Sequence, residues 1–234
     1  MDRSADPATR VVRVWDLPTR LFHWTLAASV IASIITAHVG GDATIWHFRL
    51  GYLAFTLLVF RLLWGLFGGH WSRFGTFFYG PGALMRYLRG RPLPEDCFEI
   101  GHSPLGSLSV WALLILLVAQ VASGLVADDE TGNTGPLNAF VSYATASKAT
   151  AYHKDYGQWI LIALIVLHVG AVLFYLLKRR RNLIGAMWHG DKAWPQDLAG
   201  AVPVSRDTTG SRVFALVVLG MCVALVYAIV TIGG

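Results

Sequence analysis

The chain has 234 residues, of which 55% are hydrophobic and only 14% are charged, and its formal net charge is +5. Soluble domains usually contain about 25% charged residues, so the composition argues against a soluble domain and for a protein that crosses a membrane. The basic residues fall in separate groups between apolar stretches, which argues against a nucleic-acid-binding surface.

Five apolar stretches are long enough to cross a bilayer, since about 20 residues span its hydrocarbon core. In chain order they are residues 21–39, 46–67, 104–126, 157–177 and 213–231. The first four belong to a predicted membrane domain of residues 1–192, and residues 193–234 form a loop and an additional membrane helix. The first stretch is not expected to be a removed signal peptide, because it is close to spanning length and no clear cleavage site follows it.

The charged loops predict the orientation of these spans. Arginine and lysine are concentrated before the first stretch and in the loops 68–103 and 178–212, whereas the loop 127–156 contains three consecutive acidic residues. Cytoplasmic loops carry an excess of arginine and lysine. We therefore predict a multi-pass protein of the bacterial inner membrane, with the N-terminus and both basic loops in the cytoplasm.

One histidine lies just before the fourth stretch and another lies within it. His153 and His168 are fifteen residues apart, and the segment YGQWILIALIVL that precedes His168 carries no charge. In one α-helix this spacing corresponds to about 22 Å along the axis, with the rings about 60° apart around it. An imidazole in hydrocarbon is costly unless a partner binds it, so both are candidate axial ligands of two stacked haems.

The alternating direction of the spans places four histidines at two depths. A haem with two histidine ligands needs imidazoles from different helices at the same depth. At the outer level this rule pairs His47 with His153, and at the inner level it pairs His23 with His168. These four residues are the predicted iron ligands.

Two other histidines are weaker candidates for haem ligation, and neither a zinc site nor a disulfide is expected. His38 competes for the outer haem and His102 for the inner one, and His102 is alternatively a helix cap or a polar group near a quinone or a haem propionate. Zinc is disfavoured, because it needs three or four ligands around one ion, and ligands about 22 Å apart cannot share it. Cys97 and Cys222 are not expected to pair, since one lies in a loop and the other in the last span.

Three of the histidines are followed four residues later by a glycine: Gly51, Gly106 and Gly157. Residues i and i+4 share one face of a helix. A missing side chain one turn from a ligand leaves room for a flat macrocycle, although glycine also serves close helix packing in membranes.

Three arginines are candidate partners of haem propionates. Arg20 lies beside the first-span histidine, Arg49 lies near the outer level, and Arg61 lies fourteen residues after His47, about 21 Å further along the second stretch. Arginine within a membrane is costly and usually paired. For Arg20 and Arg49 the alternative is that the side chain extends to the lipid headgroups. Polarity alone favours a quinone site in the loop 68–103, which contains Arg73, Tyr79, Arg86 and His102.

Several motifs resemble the prokaryotic cytochrome b561 family over roughly residues 11–192. That family includes the b-type cytochrome subunits of nickel–iron hydrogenases and, more distantly, of formate dehydrogenases. The motifs are RVWDLPTRLFHW, WHFRLGYLAFTLLVFRLLWGLFG, GHSPLGSLSVWALLILLVAQVASGL, DDETGNTGPL and HVGAVLFYLLKRRRNLIGAMWHGDK.

The resemblance implies an all-α integral membrane protein, a four-helix bundle enclosing two b haems, to which this chain adds a fifth C-terminal helix. It implies the same ligand pairs, His23 with His168 and His47 with His153. Such proteins exchange electrons between a quinone pool and a redox partner, here a hydrogenase, another dehydrogenase or a cytochrome c. The expectation is an electron-transfer subunit of a respiratory oxidoreductase rather than an independent enzyme. A stand-alone quinone-coupled superoxide oxidase and a haem-free transporter or scaffold remain open alternatives.

Overall fold

The computed structural model describes residues 9–91, 93, 96, 98–195 and 202–232. Five long helices dominate it: α1 (Leu17–Val39), α2 (Thr44–Phe67), α4 (Pro104–Val126), α6 (Gln158–Leu177) and α8 (Thr209–Thr231). Three shorter helices and two strands lie between and before them: β1 (Thr9–Arg13), α3 (Pro81–Leu88), α5 (Tyr143–Ala151), α7 (Leu183–His189) and β2 (Asp191–Pro195).

All five predicted spans are confirmed as helices that are long and apolar enough to cross a membrane. The protein is therefore an all-α multi-pass membrane bundle with a fifth C-terminal helix. The third span has the predicted bounds, whereas α1 and α8 each begin four residues earlier than predicted. The fourth span differs most, because helical structure runs without a break over Tyr143–Leu177. The second half of the predicted 127–156 loop is consequently helical.

A π-helical turn, Tyr152–Gly157, joins α5 to α6. Each turn of a π-helix holds more residues than an α-helical turn, and such insertions occur frequently at functional sites. His153 lies in this turn and not in the regular α-helix on which its position relative to His168 was predicted. The π-turn therefore sets the direction of the His153 side chain.

The chain divides into two compact units. The first contains the described residues of Met1–Arg20, Trp64–Leu108 and Val172–Ala215. The second contains those of Leu21–Leu63, Ser109–Ala171 and Leu216–Gly234. This division does not test the predicted domain boundary at residue 192, which stays a prediction.

The first unit brings the N-terminal segment together with the loops that follow the second and fourth spans. Strands β1 and β2 pair in antiparallel register, from Thr9 opposite Pro195 to Arg13 opposite Asp191. Four spans separate the two strands, so this pairing agrees with both strands lying on one side of the membrane. Beside the strands lies an apolar cluster made of Val12, Val14, Trp15, Trp71, Ile100, Ala186 and Val202.

Asp16 explains why α1 begins before the predicted boundary. Its side chain is fully buried, and one carboxylate oxygen accepts a hydrogen bond from the Thr19 amide at 2.8 Å. An aspartate in this position satisfies a free amide at a helix N-terminus. The same carboxylate accepts hydrogen bonds from the Gly69 amide at 2.8 Å, Ser72 Oγ at 3.0 Å and Trp64 Nε1 at 3.2 Å. Asp16 thus ties the start of α1 to the end of α2 and the turn that follows.

Candidate haem-binding site

The second unit contains two histidine pairs, each built from two different helical segments. The ring centres of His47, on α2, and His153, in the π-turn, are 6.0 Å apart. The ring centres of His23, on α1, and His168, on α6, are 6.5 Å apart. The structure therefore brings together the partners that the alternating topology predicted.

Both separations suit a metal held between two imidazoles. With a metal–nitrogen bond of about 2.0 Å and about 1.1 Å from nitrogen to ring centre, two opposed imidazoles have ring centres about 6.2 Å apart. Within the described residues no group of three or more His, Cys, Asp or Glu side chains is placed to hold a metal ion. Two protein ligands on one metal match haem iron, because the porphyrin supplies the remaining nitrogens.

The hydrogen bonds of the His47–His153 pair leave one nitrogen of each ring for a metal. Nδ1 of His47 lies 3.0 Å from the Ser33 carbonyl oxygen, and Nδ1 of His153 lies 2.9 Å from the Gln120 carbonyl oxygen. A carbonyl only accepts, so Nδ1 carries the proton in both rings and Nε2 keeps its lone pair. This is the usual arrangement of a metal-ligating histidine. Gln120 also donates from Nε2 to the His153 carbonyl at 2.9 Å.

The His23–His168 pair is held differently. Nδ1 of His23 is buried, and none of the described residues forms a hydrogen bond with it. A buried polar atom without a partner costs free energy unless a ligand satisfies the group. The surroundings of His23 therefore fit a residue that binds something other than protein.

A cavity of about 560 Å³ adjoins the His47–His153 pair. Both imidazoles line it, and its wall comes from α1, α2, α4, the 127–136 loop and the start of the fourth span. This volume lies within the usual range of small-molecule and cofactor pockets. Polar side chains on its wall include His38, Gln120, Asp129, Lys154 and Gln158.

Asp129 places a negative charge on this wall, outside the membrane-spanning helices. Burial raises its pKa, but hydrogen bonds from Asn133 and Thr131 outweigh burial and bring the pKa to about 2. Asn133 Nδ2 donates to the carboxylate at 2.7 Å. The side chain is therefore ionised at neutral pH, and Lys154 lines the same cavity.

The glycines near the histidines have different surroundings. Gly51 lines the cavity, and a Cβ added there would meet no protein atom within 4 Å. Gly157 is buried, and a Cβ there would collide with the Gln120 side chain and Tyr152, so its missing side chain makes room for protein and not for a macrocycle. Gly106 faces Ser103 Oγ in the first unit.

The three predicted propionate partners have other contacts in the structure. Arg20 donates to the Trp188 carbonyl at 2.6 Å, in the first unit. The guanidinium of Arg49 lies 5.0 Å from the ring centre of Trp46 on an exposed helix face, as a cation–π pair does. Arg61 is only 4% exposed. All three propionate-binding roles stay predictions.

The two competing histidines occupy separate environments. His38 lines the cavity, its Nδ1 is 2.8 Å from the Ile34 carbonyl on its own helix, and its ring centre is 6.4 Å from that of Trp159. His102 lies in the first unit between aromatic rings, with ring-centre distances of 4.7 Å to Trp15 and 4.5 Å to Phe77. The ring of His102 is thus packed against aromatic side chains.

In the predicted quinone region, Tyr79 and Arg86 form hydrogen bonds with other residues of the protein. Arg86 pairs with Asp96 through two hydrogen bonds of 2.9 and 3.0 Å, and Tyr79 donates to the His102 carbonyl at 2.9 Å. Tyr79 and Asp96 also line a small cavity of about 250 Å³.

Cys222 is buried, and Cys97 lies outside the described residues, so their expected lack of pairing is untested.

Four residues beside the His47–His153 pair were not predicted: Ser33, Gln120, Ser123 and Gly124. The first three hydrogen-bond these histidines, and a Cβ at Gly124 would come within 2.9 Å of the His153 ring. Their only sequence signal is that each is a polar or small residue inside an apolar helix. Many such residues satisfy themselves within their own helix, so the signal alone does not single them out.

Comparison with known proteins gives a consistent result. The profile of the family described as prokaryotic cytochrome b561 matches residues 14–190. A probable Ni/Fe-hydrogenase B-type cytochrome subunit of Bradyrhizobium diazoefficiens is 24% identical, over 77% of this chain and 85% of that protein. The like-named protein of Azotobacter chroococcum is 24% identical, over 80% and 90%. A probable Ni/Fe-hydrogenase 1 B-type cytochrome subunit of Escherichia coli K12 is 21% identical, over 76% and 88%. No solved structure matches significantly.

Proposed function

The chain belongs to the prokaryotic cytochrome b561 family, and from this premise we propose that it is a di-haem cytochrome carrying electrons between the quinone pool and a redox partner protein. At the coarser level it is a membrane b-type cytochrome, an electron-transfer subunit that binds haem b. The number of haems, the quinone and the identity of the partner belong to the proposal.

The observation that carries the proposal is the presence of two opposed histidine pairs in one unit. His47 and His153 would hold one haem, and His23 and His168 would hold the other, with ring-centre distances of 6.0 and 6.5 Å. Bound haem iron supplies one-electron redox chemistry. The chain's own residues position the ligands: backbone carbonyls orient the rings of the first pair, and apolar helices keep water from both.

The relatives support a hydrogenase as the redox partner. Three similar proteins are named as Ni/Fe-hydrogenase cytochrome subunits, and the chain covers 85–90% of their length. We therefore favour a nickel–iron hydrogenase over another dehydrogenase or a cytochrome c. Co-purification with a nickel-containing subunit from the native membrane would support this choice, and a cytochrome c in its place would contradict it.

Orientation in the bacterial inner membrane is part of the same proposal. The first unit collects the basic segments, including Arg13, Arg20 and Arg181, while the acidic 127–136 loop belongs to the second unit. The excess of basic residues in cytoplasmic loops favours a cytoplasmic location for the strand pair. A reporter enzyme that works only in the cytoplasm should therefore be active when it is fused before β1. A reporter that works only outside the inner membrane should be inactive at the same position.

Haem stoichiometry tests the central claim. The purified, detergent-solubilised protein should contain two b haems per chain by pyridine haemochrome, measured against protein concentration. His47→Ala or His153→Ala should each leave one haem, and His23→Ala or His168→Ala should leave the other. His38→Ala serves as the control, because the ring of His38 lies near Trp159, with ring centres 6.4 Å apart, and belongs to neither predicted ligand pair. A folded protein without haem, or one in which neither member of a pair affects haem content, would refute the proposal.

A further inference from the structure

The rings of the His47–His153 pair have a second acceptor in addition to the backbone carbonyls. Ser33 Oγ lies 3.1 Å from Nδ1 of His47, and Ser123 Oγ lies 3.3 Å from Nδ1 of His153. Each Nδ1–H is thus shared between a carbonyl and a hydroxyl. Both hydroxyls come from helices other than the one that carries the histidine, α1 for His47 and α4 for His153.

The other pair lacks this arrangement. Among the described residues, no hydrogen-bond partner faces the ring nitrogens of His23 or His168. The two candidate haem sites therefore differ in how firmly their ligands are oriented before haem binds. The backbone carbonyls contribute to this difference and remain in every variant, whereas the contribution of the two hydroxyls can be removed by mutation.

We propose that Ser33 and Ser123 are positioning residues that fix the rings of His47 and His153 and tune the haem that they hold. An acceptor on the far nitrogen fixes the tautomer and the ring plane of a ligating histidine and makes it more basic. A more basic ligand favours oxidised iron, so these hydroxyls lower the reduction potential of this haem. The inference deepens the proposed function and rests on its two haems.

The serine variants have a matched control on the same helix. Ser29 is buried one turn before Ser33, and its hydroxyl donates to the Leu26 carbonyl at 2.9 Å without reaching a histidine. Ser29→Ala therefore removes a buried hydroxyl from α1 and leaves the ligands alone. Ser33→Thr keeps a hydroxyl at the tested position and serves as the rescue variant.

The experiment combines a haem-affinity measurement with a spectroscopic redox titration of the full chain. Loss of such outer partners typically weakens metal affinity about 10–100-fold, and we expect a loss in this range for the double variant Ser33→Ala, Ser123→Ala. Its titration should show one component moved to higher potential and the other unchanged. The moved component should be the one that disappears in His47→Ala. Ser29→Ala and Ser33→Thr should titrate like the wild type.

The outcomes separate this inference from the proposed function. Fewer than two haems in the wild type would refute the proposed function itself. Two haems with an unmoved titration in the double variant would refute only the role of the serines. Equal movement of both components, or the same movement in Ser29→Ala, would assign the hydroxyls a general structural role and would also overturn the inference. If the double variant fails to fold, the single variants carry the same comparison.

Discussion

The carboxylate of Asp16 should be the most sensitive buried polar group of the first unit. It is fully buried and accepts hydrogen bonds from Thr19, Gly69, Ser72 and Trp64. Asp16→Asn keeps the shape but replaces one oxygen with a donor. If the remaining oxygen still caps α1, the new amide faces the Gly69 amide, and two donors then meet.

The lost bond sets the size of the effect. A hydrogen bond to a charged group contributes about 1.5–3 kcal/mol. In a chain of this length each kcal/mol lowers the melting temperature by about 2–4 °C. We therefore expect Asp16→Asn to melt about 3–12 °C below the wild type, measured by tryptophan fluorescence in detergent.

Asp42→Asn is the matched control, because Asp42 is exposed and the substitution changes the charge equally. The control should melt with the wild type. An Asp16→Asn protein that also melts with the wild type would refute the view that this carboxylate joins α1 to the end of α2.

Three further perturbations address other parts of the molecule. Burial lowers the pKa of Lys192 from 10.5 to about 8. Between these two pH values the unfolded state binds more protons than the folded state. Thermal stability should therefore rise from pH 8 towards 10 in the wild type but not in Lys192→Met. Gly124→Ala directs a methyl group at the His153 ring and should reduce the haem content to one per chain. Gly220→Ala is the control, because its methyl group meets no atom within 4 Å, and it should retain two haems. Gly51→Leu should extend into the cavity and lower haem content without lowering the melting temperature of the haem-free protein, and unchanged haem content would place the macrocycle elsewhere.

The spans and the histidine pairing were accessible from sequence because both rest on few, strong constraints. Apolar length decides which segments cross the bilayer. An even or odd number of crossings then decides which histidines share a depth, and this pairs His47 with His153 and His23 with His168 but leaves His38 and His102 as competitors. The ring distances in the structure distinguish the pairs from these competitors.

The partners of individual polar groups were not accessible in the same way. Ser29 and Ser33 are one turn apart in the same apolar helix, yet one bonds to its own backbone and the other to a histidine on α2. Arg49 had two reasonable partners, and the structure shows a third, the ring of Trp46 three residues earlier. These choices depend on side-chain directions across helices, which a single helix period does not encode.

Two backbone features were also missed. The π-turn needs one additional residue in a helix whose apolar pattern otherwise looks regular, so His153 was assigned to an ordinary helical position. The strands β1 and β2 are five residues each and far apart in the chain. Short segments of this kind have no periodic signal strong enough to predict that they pair.

The strand pair also bears on how the chain is threaded into the bilayer. Arg13 bonds to Asp191, 178 residues later, so the N-terminal strand is synthesised long before its partner leaves the ribosome. Four spans must be inserted in the meantime. If a single span failed to cross, the two strands would emerge on opposite faces of the membrane and would never meet. Closure of this short ribbon therefore requires an even number of membrane crossings between the two strands, which the four intervening helices provide.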